Sequence, residues 1–281
     1  MNDDAQRLLA EVARLTWPDT TDLTCPEPGH AAGHTCLARP GRTDADADAV
    51  ARELSARYGG PGPVTAAALA ALPRLDGTAW RHVWTFSSRW IASGRAADGR
   101  PALVVARRTV PSVSDLPPGA SWLERLTAVT GWERTPALSI DWAEHEARLG
   151  TPLPGDFKET VDAFGTGLFD GFLELNGPER IRQDAAAHAR SGPAPWRPHP
   201  AYPAPGGLLP WSANEHEQTF YWLTGDPDPD RWPVYATEVG PHEGQLFDCT
   251  ATEFLYRQLT DPGHPYGPAA AFAAHWFLPA G

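Results

Sequence analysis

Thirty prolines and twenty-six glycines punctuate this 281-residue chain, and they fall at the borders of its apolar runs rather than in one tract. The chain therefore reads as a succession of short helices and strands. Asp4–Leu15 sets Leu8, Leu9, Val12 and Leu15 at helical spacing, and Trp17–Pro18 stops it. Residues 18–43, rich in Pro, Gly, Thr and Asp, read as a loop. Asp44–Tyr58 carries Val50, Leu54 and Tyr58 on one helical face and ends at Gly59-Gly60-Pro61. Residues 64–73 suit a further short helix. Trp80–Ser93 and Pro101–Thr109 are strand-like, with Ala97-Asp98-Gly99-Arg100 between them as a hairpin turn.

Proline thickens again after Thr109, which sets a linker at residues 113–120 between a small α+β unit, 1–112, and a second domain, 121–281. The second domain opens with a helix over Trp122–Thr130. Another spans Trp142–Leu149, with Asp141 as N-cap, Glu144 three residues on and Gly150 as terminator. Asp156 reads as the N-cap of Phe157–Phe164. Gly167–Leu175 alternates as one strand, and 178–190 as a helix. Strands follow at Leu208–Ala213, Thr219–Leu223, Trp232–Val239 and Glu243–Phe247. Asp248 or Thr250 caps a last helix, Ala251–Leu259. The fold class expected is α+β.

A content of 42% hydrophobic and 21% charged residues excludes wholesale disorder. No run approaches ~18 apolar residues, so no membrane helix is expected. The N-terminus lacks a basic start and an apolar core, so no secretory leader is expected either. Three cysteines cannot build a disulfide framework and fit a reducing, cytoplasmic setting. The charge is uneven. Residues 1–118 balance thirteen acids against thirteen bases, while 119–281 hold twenty-two acids against ten bases. Such a surface repels nucleic acid and would attract a basic protein partner; net acidity that only keeps the chain soluble is the competing account.

Residues 140–177 read I-D-W-A-E-H-E-A-R-L-G-T-P-L-P-G-D-F-K-E-T-V-D-A-F-G-T-G-L-F-D-G-F-L-E-L-N-G. With Gly207–Trp211, the Tyr221-Trp222 strand, the Asp-Pro turn before Trp232-Pro233-Val234 and the closing Thr252-Glu253-Phe254-Leu255, this resembles the SMI1/KNR4 (SUKH) superfamily over roughly residues 120–262. No single motif is specific, and the ordered series carries the resemblance. It implies helices packed on a bent mixed or antiparallel sheet. It also implies a binding protein rather than an enzyme: a bacterial immunity protein that occludes a toxin's nuclease or deaminase domain, or alternatively a scaffold without a toxin. No cofactor is implied.

On that reading the partner-binding candidates are Trp211, Tyr221, Trp222 and Trp232, with the flanking acids Glu215, Glu217, Asp226, Asp228 and Asp230. Aromatics hold a complex and charge speeds its formation; the same aromatics could equally be core and the acids solvated turns. Asp226-x-Asp228-x-Asp230 resembles the start of a calcium loop, but Arg231 and Thr237 stand where such a loop needs Gly and a bidentate Glu. Cys25, His30, His34 and Cys36 offer two thiolates and two imidazoles within twelve residues, a candidate zinc set. The spacing C-x4-H-x3-H-x-C lacks the usual paired cysteines, and its His-x-Cys pair strains tetrahedral geometry. A loop with incidental Cys and His is the competing account, and a metalloenzyme at this segment the third functional reading. No nucleophile elbow, phosphate loop or dinucleotide fingerprint occurs.

Overall fold

A computed structural model describes residues 3–37, 44–74, 77–95, 101–133, 139–191, 199–237, 244–268 and 271–280. The fold is α+β, with antiparallel sheets. The chain divides into two compact units. One comprises Met1–Pro111, Val129–Glu133 and Phe272–Gly281; the other comprises Ser112–Ala128 and Arg134–Ala271. No helix among the described residues is long and apolar enough to cross a membrane.

The first unit is a four-stranded sheet, β1 (His34–Cys36), β2 (Ala79–Phe86), β3 (Arg89–Arg95) and β4 (Pro101–Arg107), in the order β1-β4-β3-β2. One face carries Trp84, Ile91, Leu103 and Val105. It is covered by α1 (Asp3–Thr16) through Leu8, Val12 and Leu15, and by α2 (Asp44–Tyr58) through Val50, Leu54 and Tyr58. The other face, with Val83, Trp90, Ala92, Val104 and Ala106, packs on Ala68 and Leu72 at α3 (Ala66–Ala71). Burial on both faces explains why β4 reads as an unbroken apolar run, since neither side of the strand meets water. Thr16 Oγ1 and Tyr58 Oη, 3.0 Å apart, tie α1 to α2.

Two features of this unit differ from the sequence expectations. The loop 18–43 contains β1, paired to β4 with His34 opposite Ala106 and Cys36 opposite Val104. The run Trp80–Ser93 holds two strands, folded back at Ser87, whose φ of 47° lies in the left-handed region. The turn expected at 97–100 lies outside the described residues, although β3 and β4 pair from Arg89↔Arg107 to Arg95↔Pro101.

The units also divide differently from a single cut at 113–120. Buried Arg108 explains part of this, because its guanidinium donates to the carbonyls of Ser87, Thr130 and His275. Trp276 lies 4.8 Å from Phe86, and Phe272 lies 5.6 Å from Trp17. Residues 129–133 and 272–281 thus supply apolar cover and carbonyl acceptors to the first unit rather than closing the second.

The second unit contains α4 (Trp122–Thr130, whose last two residues group with the first unit), α5 (Trp142–Leu149), α6 (Gly155–Phe164), a hairpin of β5 (Gly167–Phe169) and β6 (Leu173–Leu175), and α7 (Pro178–Arg190). A four-stranded meander follows: β7 (Leu208–Ala213), β8 (Thr219–Leu223), β9 (Val234–Thr237) and β10 (Gly244–Phe247). The helix α8 (Ala251–Thr260) comes after it. The single strand expected over 167–175 is this hairpin. Asp170 and Gly171 have φ of 56° and 66°, and the Phe172 N–H closes the turn on the Phe169 carbonyl at 2.9 Å, which leaves a three-residue loop between the paired Phe169 and Leu173. Asp141 caps α5 by accepting from Glu144 N, and Gly150 ends it at φ 88°. Thr250, not Asp248, caps α8.

Candidate functional site

The four aromatics expected at a partner surface are core. Trp211, Tyr221, Trp222 and Trp232 are 1%, 3%, 0% and 6% exposed. Trp211 stacks on Trp222 at 5.4 Å, and the Phe157 ring stands edge-on to Trp222 at 4.9 Å. Phe254 closes the far side against Trp211 and Phe220. The reason is the alternation of β7 and β8. Their inward positions face α6 and α8, which present Phe157 and Phe254, and large rings fill that layer. Tyr221 points the other way and is still covered, by the His188 ring of α7 among others.

The two acid clusters do not share a face. Glu215 and Glu217 sit in the β7–β8 turn, whereas Asp226, Asp228 and Asp230 follow β8 at its other end. The second cluster is spent on structure. Asp226 accepts from Asp228 N at 2.9 Å, and Asp228 from Asp230 N at 3.1 Å, two successive Asx turns. Asp230 then accepts from Gly155 N at 2.6 Å, at the start of α6, where the N-cap Pro154 has no side-chain acceptor to offer. Asp156, expected to cap α6, instead accepts from Thr252 N at 2.9 Å, inside the first turn of α8. Each helix takes its carboxylate from elsewhere in the chain. Trp232 Nε1 donates to the Asp226 carbonyl, which locks the same loop from inside.

The first cluster is different. Glu215, His216 and Glu217 are exposed on a tightly organised turn. Buried Asn214 accepts from the N–H groups of His216 and Gln218, and its amide donates to Gln218 Oε1 and to the Tyr266 carbonyl. Glu217 holds φ 61°, and its N–H closes on the Asn214 carbonyl. Glu215 N donates to the Phe172 carbonyl, and the His216 ring stands edge-on to the half-buried Phe172 ring at 4.9 Å. No ion pair to Glu215 or Glu217 occurs among the described residues. Phe172 was not foreseen as part of this patch. Its only local signal was the Asp170-Gly171 turn, which presents it.

In the first unit, Cys25, His30, His34 and Cys36 converge, with one ligand atom from each lying within 4.8 Å of the others. His30 Nδ1 stands 3.1 Å from Cys25 Sγ, 3.3 Å from His34 Nε2 and 3.5 Å from Cys36 Sγ. The convergence is built by local structure. His34 and Cys36 are two residues apart on β1, so they share a face of the strand. Pro28-Gly29, with φ 81° at Gly29, turns the chain so that His30 N meets the Glu27 carbonyl. Gly33 N to the Leu23 carbonyl and Thr35 Oγ1 to the Thr24 carbonyl then zip the two arms, which sets Cys25 opposite β1. The His-x-Cys pair is carried on a strand, where alternate positions share one face. Burial first, and then the neighbouring Cys25, push the Cys36 thiol up to about 12. Burial and the adjacent His30 hold His34 below its ordinary value.

Comparison of this chain with protein-family models, with curated proteins and with solved structures gave no match, so the functional reading rests on these residues alone.

Proposed function

We propose that this chain is a cytoplasmic, non-enzymatic binding protein of the SMI1/KNR4 (SUKH) type. In this reading it acts as an immunity protein that occludes a basic toxin domain such as a nuclease or deaminase. The observation that carries the reading is the turn Asn214–Gln218, which holds two carboxylates, Glu215 and Glu217, without an ion-pair partner among the described residues, beside the partly exposed ring of Phe172. A toxin that acts on nucleic acid needs a phosphate-attracting groove. Carboxylates carried on a backbone held in advance meet such a groove with less ordering cost, and they speed the encounter. The charge supports the same reading. The second unit carries twenty-two acids against ten bases, while the first balances thirteen against thirteen. The attraction resides in the unit that bears the turn.

The test is capture of the tagged chain's partner from its own host at low and high salt, followed by the partner's nucleic-acid-directed activity with and without this chain. The reading expects one near-stoichiometric basic partner, shed as salt rises and inhibited by the chain. Glu215→Lys with Glu217→Lys should slow association by roughly tenfold or more without changing stability. Binding that is flat in salt and survives both reversals refutes the acidic-turn reading. Several sub-stoichiometric partners with no inhibited activity would make the chain a scaffold.

A further inference from the structure

We propose that Cys25, His30, His34 and Cys36 form a structural zinc site that clips the 23–37 loop to the edge of the first unit's sheet. The argument is one of distances. Zinc bonds of about 2.3 Å to sulfur and about 2.0–2.1 Å to nitrogen fix the edges of its tetrahedron. Those edges are about 3.4 Å between nitrogens, about 3.6 Å from nitrogen to sulfur and about 3.8 Å between sulfurs. The three edges that meet at His30 Nδ1 measure 3.1, 3.3 and 3.5 Å, within about half an ångström of these values. The remaining three are no longer than 4.8 Å, so closure needs about one ångström of side-chain movement.

The donor set selects the metal. Two thiolates and two imidazoles in a tetrahedron suit zinc, and they are a poor set for magnesium or calcium, which take oxygen. All four positions are filled by the protein, and no place remains for a water or substrate. The site is therefore closed and structural, not catalytic.

The position gives the site a purpose. The strand β1 is three residues long and lies at the sheet edge. Among the described residues its strand partner is β4, on one side only. A metal bonded to both β1 ligands and to Cys25 and His30 closes the loop in front of the strand and covers an edge that would otherwise invite pairing. Outside the cluster, Thr35 Oγ1 and Gly33 N make the hydrogen bonds that present Cys25.

The test is zinc content of the full chain purified under reducing conditions and dialysed, with cobalt substitution as a spectroscopic readout. About one equivalent of zinc is expected, as are the visible bands of tetrahedral, thiolate-bound cobalt. A chelator should lower the melting temperature. Cys36 also packs against the sheet, so the variants are made on the loop side, at Cys25→Ser and His30→Gln. Both should remain folded and lose the zinc and the cobalt bands. Folded wild-type protein that takes up no zinc with its thiols free overturns the proposal. So does full retention of zinc by both variants.

Discussion

Replacing Asp230 tests whether this residue is a helix cap or part of a partner surface. Its Oδ1 accepts from Gly155 N at 2.6 Å, and the α6 N-cap residue Pro154 makes no side-chain cap bond. Removal of a capping acceptor costs about 1 kcal/mol. Loss of a carboxylate at a helix N-terminus adds about 0.3–1 kcal/mol. The site is exposed, so Asp230→Ala should cost about 1–2 kcal/mol in all, with a melting shift of about 2–8 °C for a unit of this size. Asp230→Asn keeps an acceptor and loses only the charge, so its cost should be about 0.3–1 kcal/mol and should shrink in 1 M salt. Calorimetry gives the total, and amide hydrogen exchange over 155–164 shows whether the loss falls on α6. If Asp230→Ala leaves both the melt and α6 exchange unchanged, the capping assignment is wrong. If instead it abolishes partner binding at full stability, Asp230 belongs to the interface. A charge reversal at Asp230 would mix stability with affinity, which makes Glu215 and Glu217 the cleaner probes of binding.

Trp222→Ala should destabilise by about 3–5 kcal/mol in urea, because a fully buried indole stacked on Trp211 leaves a cavity; unchanged stability with lost binding would return Trp222 to the surface. His264 is held below its ordinary value of 6.5 by burial, with Asp261 opposing and Arg257 assisting. The unfolded chain therefore binds a proton that the folded chain refuses, and stability falls as pH drops below about 6.5 until the folded group titrates. His264→Phe should lose less stability between pH 7.5 and 5.5 than wild type, and an equal loss in urea titrations would count against this. Gly94→Ala should cost about 1–3 kcal/mol, since an added Cβ meets the Ala79 carbonyl and the Trp80 backbone, neither of which can yield; a melt unchanged from wild type would show that β2 relaxes.

The sequence determined the elements whose signals are local. Apolar spacing over four residues fixes α2 at Asp44–Tyr58 and α7 at Pro178–Arg190, and the Asp141–Glu144–Gly150 series fixes both ends of α5. Ser87-Ser88 and Asp170-Gly171 show the limit of such signals. Each splits an apparent strand into a hairpin, and the second was readable as a turn dipeptide. The acidity of the second unit was equally legible, since charge is counted rather than folded.

Only the tertiary structure decided which side chains serve which purpose. Asp230 caps a helix 75 residues away, and Asp156 reaches one 96 residues away. A local reading must give each helix its nearest carboxylate. The strand β8 separates two acid clusters that lie close in sequence, and the helices α6 and α8 turn Trp211 and Trp222 into core. The four Cys and His residues were visible as a set, but their convergence depends on β1, whose three residues become a strand only by pairing with β4. Capping, turns and periodicity act within a few residues and are written in the chain. Burial, caps supplied from a distance and ligand convergence depend on which loops close, and that is settled only when the whole core packs.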